Sequence, residues 1–131
     1  MIADHTCNPA FVAADLLSQA EHGIDSQVVL VAVDLSSETL AAVEKEIDEQ
    51  AHALERVEIV RQSVAKSIIV KARSVEEAIA FSNDYAPEHL ILHVQDARDK
   101  VSSINNAGSV FVGPYSPERQ VPISFLANSP Y

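Results

Sequence analysis

The chain has 131 residues, of which 47 % are hydrophobic, so it can form one domain with a sizeable core but hardly two. Its net charge of −10 argues against nucleic-acid binding and against an anionic membrane surface, because both need clustered Lys and Arg. No window approaches the ~18 consecutive apolar residues of a membrane span, and the start resembles neither a secretory signal nor a transit peptide. The single cysteine, Cys7, is interpreted as a small buried thiol in a reducing compartment such as the cytoplasm.

The predicted elements alternate between helix and strand along the chain. Asn8-Pro9 predicts a helix start, because Asn is a good N-cap and Pro suits the first turn. Short β-branched runs predict buried strands, and Ser74 with Glu77 has the form of a capping box. The predicted helices cover about residues 9–22, 36–56, 74–83 and 96–105, and the predicted strands cover residues 28–33, 67–72, 90–94 and 109–112.

This alternation predicts an α/β fold with a mostly parallel sheet and helices packed on it, an incomplete Rossmann-like domain. Residues 1–118 are expected to form that domain. Residues 119–131 lack a clear period and contain Pro122 and Pro130, so we expect an irregular segment there.

Two places in the sequence could carry chemistry. Gln19 and His22 are three residues apart near a helix end, so they share a face and could coordinate a cation through an amide oxygen and an imidazole. Glu88 and His89 lie on a connection before a strand and could form a general acid–base couple. On spacing alone, a solvated helix end and an ordinary surface loop are the commoner explanations.

The remaining sequence features are less informative about function. His52 lies in a charged helix and is interpreted as solvated, while His93 falls within a strand and is interpreted as structural. Gly108 indicates a tight turn or a close backbone approach. No Gly-rich phosphate loop follows a strand, so a dinucleotide-binding fingerprint is absent from the sequence.

Taken together, three segments resemble histidinol dehydrogenases, in the family's order and at similar intervals. They are FVAADLLSQAEHG at residues 11–23, DYAPEHL at residues 84–90 and NAGSVFVGPYSPE at residues 106–118, and the resemblance as a whole covers roughly residues 2–118. The resemblance implies a zinc-dependent homodimeric enzyme that oxidises L-histidinol to L-histidine in two NAD-dependent steps through histidinaldehyde, the end of histidine biosynthesis. It also implies a plastidial location in plants and membership of a multifunctional chain in many fungi.

The same resemblance assigns roles to four residues. Gln19 and His22 match zinc ligands that also border the substrate, and Glu88 and His89 match the catalytic acid–base pair, with His89 also contacting substrate. In such a site, zinc would hold the amino alcohol while His89 takes the hydroxyl proton and NAD accepts hydride. Glu88 would activate the water that hydrates the aldehyde before the second oxidation.

The sequence departs from the family's pattern after Glu118. In the family a Gly-Asp-Tyr stretch with a zinc-binding Asp follows, whereas here Arg119-Gln120 begins a different segment. A further zinc-binding His and the NAD-binding segments of the family are not matched either. We therefore expect a truncated or incompletely read gene product whose isolated chain is inactive.

Two other classes of function stay open. The chain could be a non-catalytic remnant that acts as an interaction or subunit-pairing module, or an independent metal- or imidazole-binding domain. A remnant without catalytic selection need not keep all four site residues, and their presence favours recent truncation.

Overall fold

The computed structural model describes residues 1–112 and 120–122 of the chain. This described part contains six strands: β1 (Ile2–Ala3), β2 (Val29–Val33), β3 (Ile68–Ala72), β4 (His89–His93), β5 (Ser109–Val112) and β6 (Gln120–Pro122). The five helices are α1 (Pro9–Ala20), α2 (Ser37–His52), α3 (Val57–Ala65), α4 (Val75–Tyr85) and α5 (Ala97–Lys100), the last continued by a 3-10 turn at Val101–Ser103.

The strands form one sheet in the order β3-β2-β1-β4-β5-β6. The first five in this order are parallel, and β6 pairs antiparallel with β5 at the edge. The order reverses between β1 and β4, as in doubly wound Rossmann-type sheets. The predicted α/β fold with a mostly parallel sheet and packed helices is confirmed.

Helices cover the sheet on both faces, because successive strand residues point to opposite sides. On one face, apolar residues of α4 and α5 pack against alternate strand positions such as Ile2 and Leu92. On the other face, α1 and α2 pack against the intervening positions, including Ala3 and Leu30. Helix α3 packs beside α1 through Val60.

Several elements differ from the sequence predictions, and the helix predicted over residues 96–105 is α-helical only over Ala97–Lys100. The central strand β1 was not predicted, because two residues are too short for a period-2 pattern. The helix predicted over residues 36–56 ends at His52, and a separate α3 follows after a turn. Arg56 precedes α3 without a side-chain cap, so the sequence gives little sign of this start.

Part of the segment predicted to be irregular is extended. Gln120–Pro122 forms β6, which corrects the prediction for those three residues. Strand β5 would otherwise expose a row of unpaired backbone groups, and any extended segment can pair with them. Pro122 is tolerated because it ends an edge strand. Residues 113–119 and 123–131 lie outside the described residues, and no helix in the described part is long and apolar enough to cross a membrane.

Candidate active-site cleft at the amino edge of the sheet

An open cleft of about 790 Å³ lies at the edge of the sheet where the parallel strands begin. Its walls come from the carboxyl end of α1, the end of α4 and the starts of β1, β2 and β4. Among its lining residues are the four that the sequence singled out: Gln19, His22, Glu88 and His89. The structure therefore brings both candidate sites into a single cleft.

Helix α1 delivers Gln19 and His22 to this cleft. The Asn8 side chain caps the helix start by accepting from the backbone N–H of Ala10 at 2.9 Å, and Pro9 occupies the first turn. The helix ends at Ala20, two residues earlier than predicted, so His22 lies in the turn that follows and is exposed.

Gln19 contacts the imidazole of His89 directly. The Gln19 Oε1 to His89 Nδ1 distance is 3.1 Å. An amide oxygen only accepts, so Nδ1 donates in this bond and Nε2 is left as the nitrogen that can accept a proton. The Phe111 ring lies nearly perpendicular to the imidazole, with 6.0 Å between ring centroids. The tautomer and orientation of His89 are thus set by its neighbours.

The loop that carries Glu88 is held by backbone contacts with the start of β5. Helix α4 ends at Tyr85, and the cap residue Ala86 has a φ of 54°, in the left-handed region, which turns the chain sharply. The Gly108 N–H donates to the Pro87 carbonyl at 3.0 Å, and the Ser109 N–H donates to the Glu88 carbonyl at 2.8 Å.

The close backbone approach predicted at Gly108 is present here. A Cβ at this position would lie 2.6 Å from the Glu88 carbonyl oxygen, too close for any side chain without a backbone shift. Gly108 is therefore needed for the observed position of Glu88.

A network around Asn83 braces the same loop and was not recognised in the sequence. The Asn83 Oδ1 accepts from the backbone N–H of Asn105 at 2.8 Å, and its Nδ2 donates to the Ser103 carbonyl at 3.1 Å. Asn106 donates through its side chain to the Asn83 carbonyl at 3.0 Å. Asn side chains commonly form hydrogen bonds with backbone groups nearby in sequence. Bonds between partners about twenty residues apart produce no recognisable sequence pattern.

The donor atoms at the cleft fit part of a metal site. Gln19 offers an amide oxygen and His22 an imidazole nitrogen, and zinc accepts both oxygen and nitrogen ligands. Catalytic zinc sites usually have three protein ligands and structural ones four. Within residues 1–112 and 120–122, no group of three or more His, Cys, Asp or Glu side chains is placed to hold a metal.

At the opposite edge of the sheet, the described residues place a buried carboxylate where a dinucleotide usually binds. In doubly wound folds the dinucleotide lies at the carboxyl ends of the strands, where the order reverses. Here that position, after β1, holds the buried Asp4, which accepts from Thr6 Oγ1 at 2.6 Å and from the Gln95 N–H at 2.9 Å. Burial raises the pKa of Asp4, but these hydrogen bonds together lower it by more. The pKa of Asp4 therefore lies below its usual value.

The other singled-out residues are in varied settings. The His52 side chain is 62 % exposed, as expected for a solvated residue, and His93 is fully buried. Cys7 is half-buried, and burial together with the Asp4 carboxylate raises the pKa of its thiol. Sequence reasoning missed Asp15, which lines the cleft on α1 and binds His93.

Fold and cleft define an α/β chain of Rossmann-like order with an amide–imidazole pair at its amino edge. The family model described as histidinol dehydrogenase matches residues 1–122, slightly beyond the segment in which the sequence resemblance was recognised. The chain belongs to the histidinol dehydrogenase family.

Individual relatives agree with this membership. The chain is 58 % identical over 118 residues to the histidine biosynthesis trifunctional protein of Neurospora crassa, covering 90 % of this chain and 14 % of that protein. It is 51 % identical over 117 residues to the histidinol dehydrogenase of Schizosaccharomyces pombe, covering 89 % of this chain and 27 % of that protein. The chloroplastic histidinol dehydrogenase of Arabidopsis thaliana is 54 % identical over 118 residues, covering 90 % of this chain and 25 % of that protein.

A solved structure agrees as well. The crystal structure of histidinol dehydrogenase from Elizabethkingia anophelis superposes with a TM-score of 0.83 at 48 % identity, covering 88 % of this chain and 26 % of that one. The chain thus spans only about a quarter of the length of the single-function relatives it matches.

Proposed function

We propose that this chain carries the acid–base pair and two of the zinc ligands of a histidinol dehydrogenase that oxidises L-histidinol to L-histidine through histidinaldehyde with NAD. The observation that supports it most is the 3.1 Å contact between Gln19 and His89, made across seventy residues of sequence inside one cleft. His22 and Glu88 line the same cleft, so ligand and acid–base residues converge where a small substrate could bind.

In this proposal each side chain has a defined task. His89, holding its proton on Nδ1 against Gln19, accepts the substrate hydroxyl proton at Nε2. Glu88 is exposed beside it and takes the proton of the water that adds to the aldehyde. Gln19 and His22 would hold zinc, which when bound supplies polarisation of the substrate oxygen.

The cofactor and partners follow from family membership and stay proposals. NAD would accept the hydride, and its binding segments would come from parts of the relatives that this chain does not match. The proposed enzyme works as a homodimer in the cytoplasm, or in the plastid if the source is a plant. The acidic net charge of −10 disfavours nucleic acid and membrane as partners.

We expect the isolated chain to be inactive. Correct positioning of reactants is worth on the order of 7–11 kcal/mol of barrier lowering, whereas one general base contributes roughly 10²–10⁴-fold. The purified chain with L-histidinol, NAD and zinc should therefore give no rise in NADH absorbance. Turnover that is lost in His89→Asn would contradict this expectation.

A chimera gives the positive test. Residues 1–118 would replace the matching segment of the Schizosaccharomyces pombe relative, which is 51 % identical over 117 residues. We expect NADH production from L-histidinol that falls at least about 10²-fold in His89→Asn, the loss of one general base. The matched control is His52→Asn, an exposed histidine remote from the cleft. A folded chimera without activity, or one indifferent to His89→Asn, would refute the proposed function.

Zinc binding by the isolated chain should be weak. Two neutral ligands leave the ion mostly hydrated, and stable sites use three or four protein ligands. Calorimetric titration should give a dissociation constant far above that of structural zinc sites, with little heat left in His22→Ala. Tight one-to-one binding that depends on His22 would contradict this expectation, because it would require further zinc ligands from residues outside the described part of the chain.

One observation favours the alternative of an interaction or subunit-pairing module. Ile68 and Ile69 on the edge strand β3 are 48 % and 43 % exposed, and Val64 beside them is 38 % exposed. Apolar edge strands invite pairing with another chain. Light scattering of this chain mixed with a full-length relative separates the two candidate functions. A complex that still forms with the His89→Asn variant, together with an inactive chimera, would favour the subunit-pairing module.

A further inference from the structure

Helix α1 is joined to strand β4 by two side-chain hydrogen bonds. Asp15 Oδ2 lies 2.6 Å from Nε2 of His93, and Gln19 Oε1 lies 3.1 Å from Nδ1 of His89. Asp15 and Gln19 are four residues apart on one helix face, and His89 and His93 are four apart on one face of the strand. Among the described residues, these two bonds tie the second half of α1 to the sheet.

The two bonds constrain how α1 can slide along β4. Four residues span about 6 Å on the helix and about 13 Å on the strand. The two histidine side chains therefore start from well-separated points on β4 and converge on α1. A slip of α1 by one residue, about 1.5 Å, would stretch the Gln19–His89 contact beyond hydrogen-bonding distance. Keeping both bonds therefore requires one position of the helix.

The bond at Asp15 is the better anchored of the two. It joins a carboxylate to an imidazole, and such charge-assisted bonds are shorter and about twice as strong as neutral ones. The His93 side chain is 0 % exposed and cannot move without repacking the sheet face, whereas Gln19 and His89 border the open cleft. Asp15 lines that cleft too, with its side chain 43 % exposed.

The His93 side chain has a single hydrogen-bond partner in the described part of the chain. Its Nδ1 is buried without one, so Nε2 donates to Asp15 and Nδ1 keeps a lone pair. An unpaired buried acceptor is tolerated more readily than an unpaired buried N–H. The strand histidine that the sequence marked as structural is thus bonded to the helix that carries the candidate metal ligands.

We propose that Asp15, through its bond to the buried His93, is a positioning residue that fixes α1 along β4 and so holds the Gln19 amide against the His89 imidazole. The proposal rests on the proposed function, in which this contact keeps the Nε2 atom of His89 free to accept a proton. Asp15 acts through Gln19 and need not touch substrate.

The test observes the contact itself, without zinc, NAD or turnover. Ring nitrogens of the histidines are followed by long-range ¹⁵N–¹H spectra of the 131-residue chain at one pH, with signals assigned from single His→Gln variants. Asp15→Ala should move the ring-nitrogen shifts of His93 and also those of His89, which Asp15 does not contact. Asp15→Asn, which keeps an acceptor oxygen, should restore the His89 shifts at least partly. Glu58→Ala, which removes an exposed ion pair on α3, is the control and should move neither histidine.

The outcomes separate positioning from simple stabilisation. A lower melting temperature in Asp15→Ala with His89 unchanged would make the pair merely structural and overturn the proposal. If Asp15→Ala does not fold, Asp15→Leu, which also removes the acceptor but leaves a smaller gap, decides: altered His93 with altered His89 supports positioning, and altered His93 with unchanged His89 overturns it. Because no activity is measured, these results stand whether or not the chimera proves to be a histidinol dehydrogenase.

Discussion

The two edges of the parallel sheet differ in what their polar groups do. At the amino edge, Gln19, His22 and Glu88 face an open cleft, and Glu88 and His22 are exposed. At the carboxyl edge, where the strand order reverses, the Asp4 carboxylate is 5 % exposed and is taken up by bonds within the chain. Polar groups satisfied internally stabilise a fold, whereas groups left exposed in a cleft are available to a ligand.

Replacing the carboxylate at the closed edge should have the largest effect on stability. Asp4→Ala takes an ionised acceptor away from the Thr6 and Gln95 N–H groups, and a hydrogen bond to a charged group contributes about 1.5–3 kcal/mol. We expect a loss of about 3 kcal/mol in the free energy of unfolding, measured by urea denaturation. The exposed Asp99→Ala is the control and should change it little. Equal losses in the two variants would break the contrast between the edges.

A change at the cleft edge should cost less stability but alter the site. In Gly108→Ala the new Cβ meets the Glu88 carbonyl at 2.6 Å, so the loop must shift, at about 1–3 kcal/mol. Amide shifts of Glu88 and His89 should move, and the chimera should lose activity. Gly23→Ala is the matched control, since its Cβ would meet nothing within 4 Å. Unchanged amide shifts in Gly108→Ala would mean that the loop is not held by this approach.

The smallest effect concerns acid stability. Because the folded pKa of Asp4 lies below its ordinary value of 3.8, ionised Asp4 stabilises the fold above that pH. This stabilisation is lost as the pH falls through the folded pKa. Asp4→Asn should therefore be less stable than the parent at pH 6, with the difference shrinking as the pH falls below about 4. Melting curves of both proteins between pH 6 and pH 2.5 measure this difference in stability. A difference that does not depend on pH would show that the ionisation of Asp4 is not its cause.

Local signals in the sequence predicted most of the fold. Strand β5 was predicted with its exact bounds, and the helix caps at Asn8 and Ser74 are present as side-chain hydrogen bonds. The elements that were not predicted are short or depend on partners that are distant in sequence. Strand β1 has two residues and is a strand because β2 and β4 flank it, and β6 forms because β5 has a free edge.

The candidate site could be proposed only through resemblance. Spacing within residues 19–22 and 88–89 favoured ordinary surface explanations for each pair, because neither pair alone makes a site. Their convergence depends on α1 and β4 meeting in the fold, which no local pattern encodes. The Asp15–His93 bond is hidden for the same reason, since its partners are 78 residues apart in sequence.

The position of β1 also affects how the chain reaches its fold. The central strand precedes both of its neighbours in sequence, with Ile2 paired to Val31 and to Leu92. Closing such long loops costs chain entropy before the contacts form, and non-local parallel pairing slows folding. The middle of the sheet is therefore completed only when β4 is in place. The contacts of β1 should therefore form after the rate-limiting step of folding, so Ile2→Val is expected to speed unfolding more than it slows refolding.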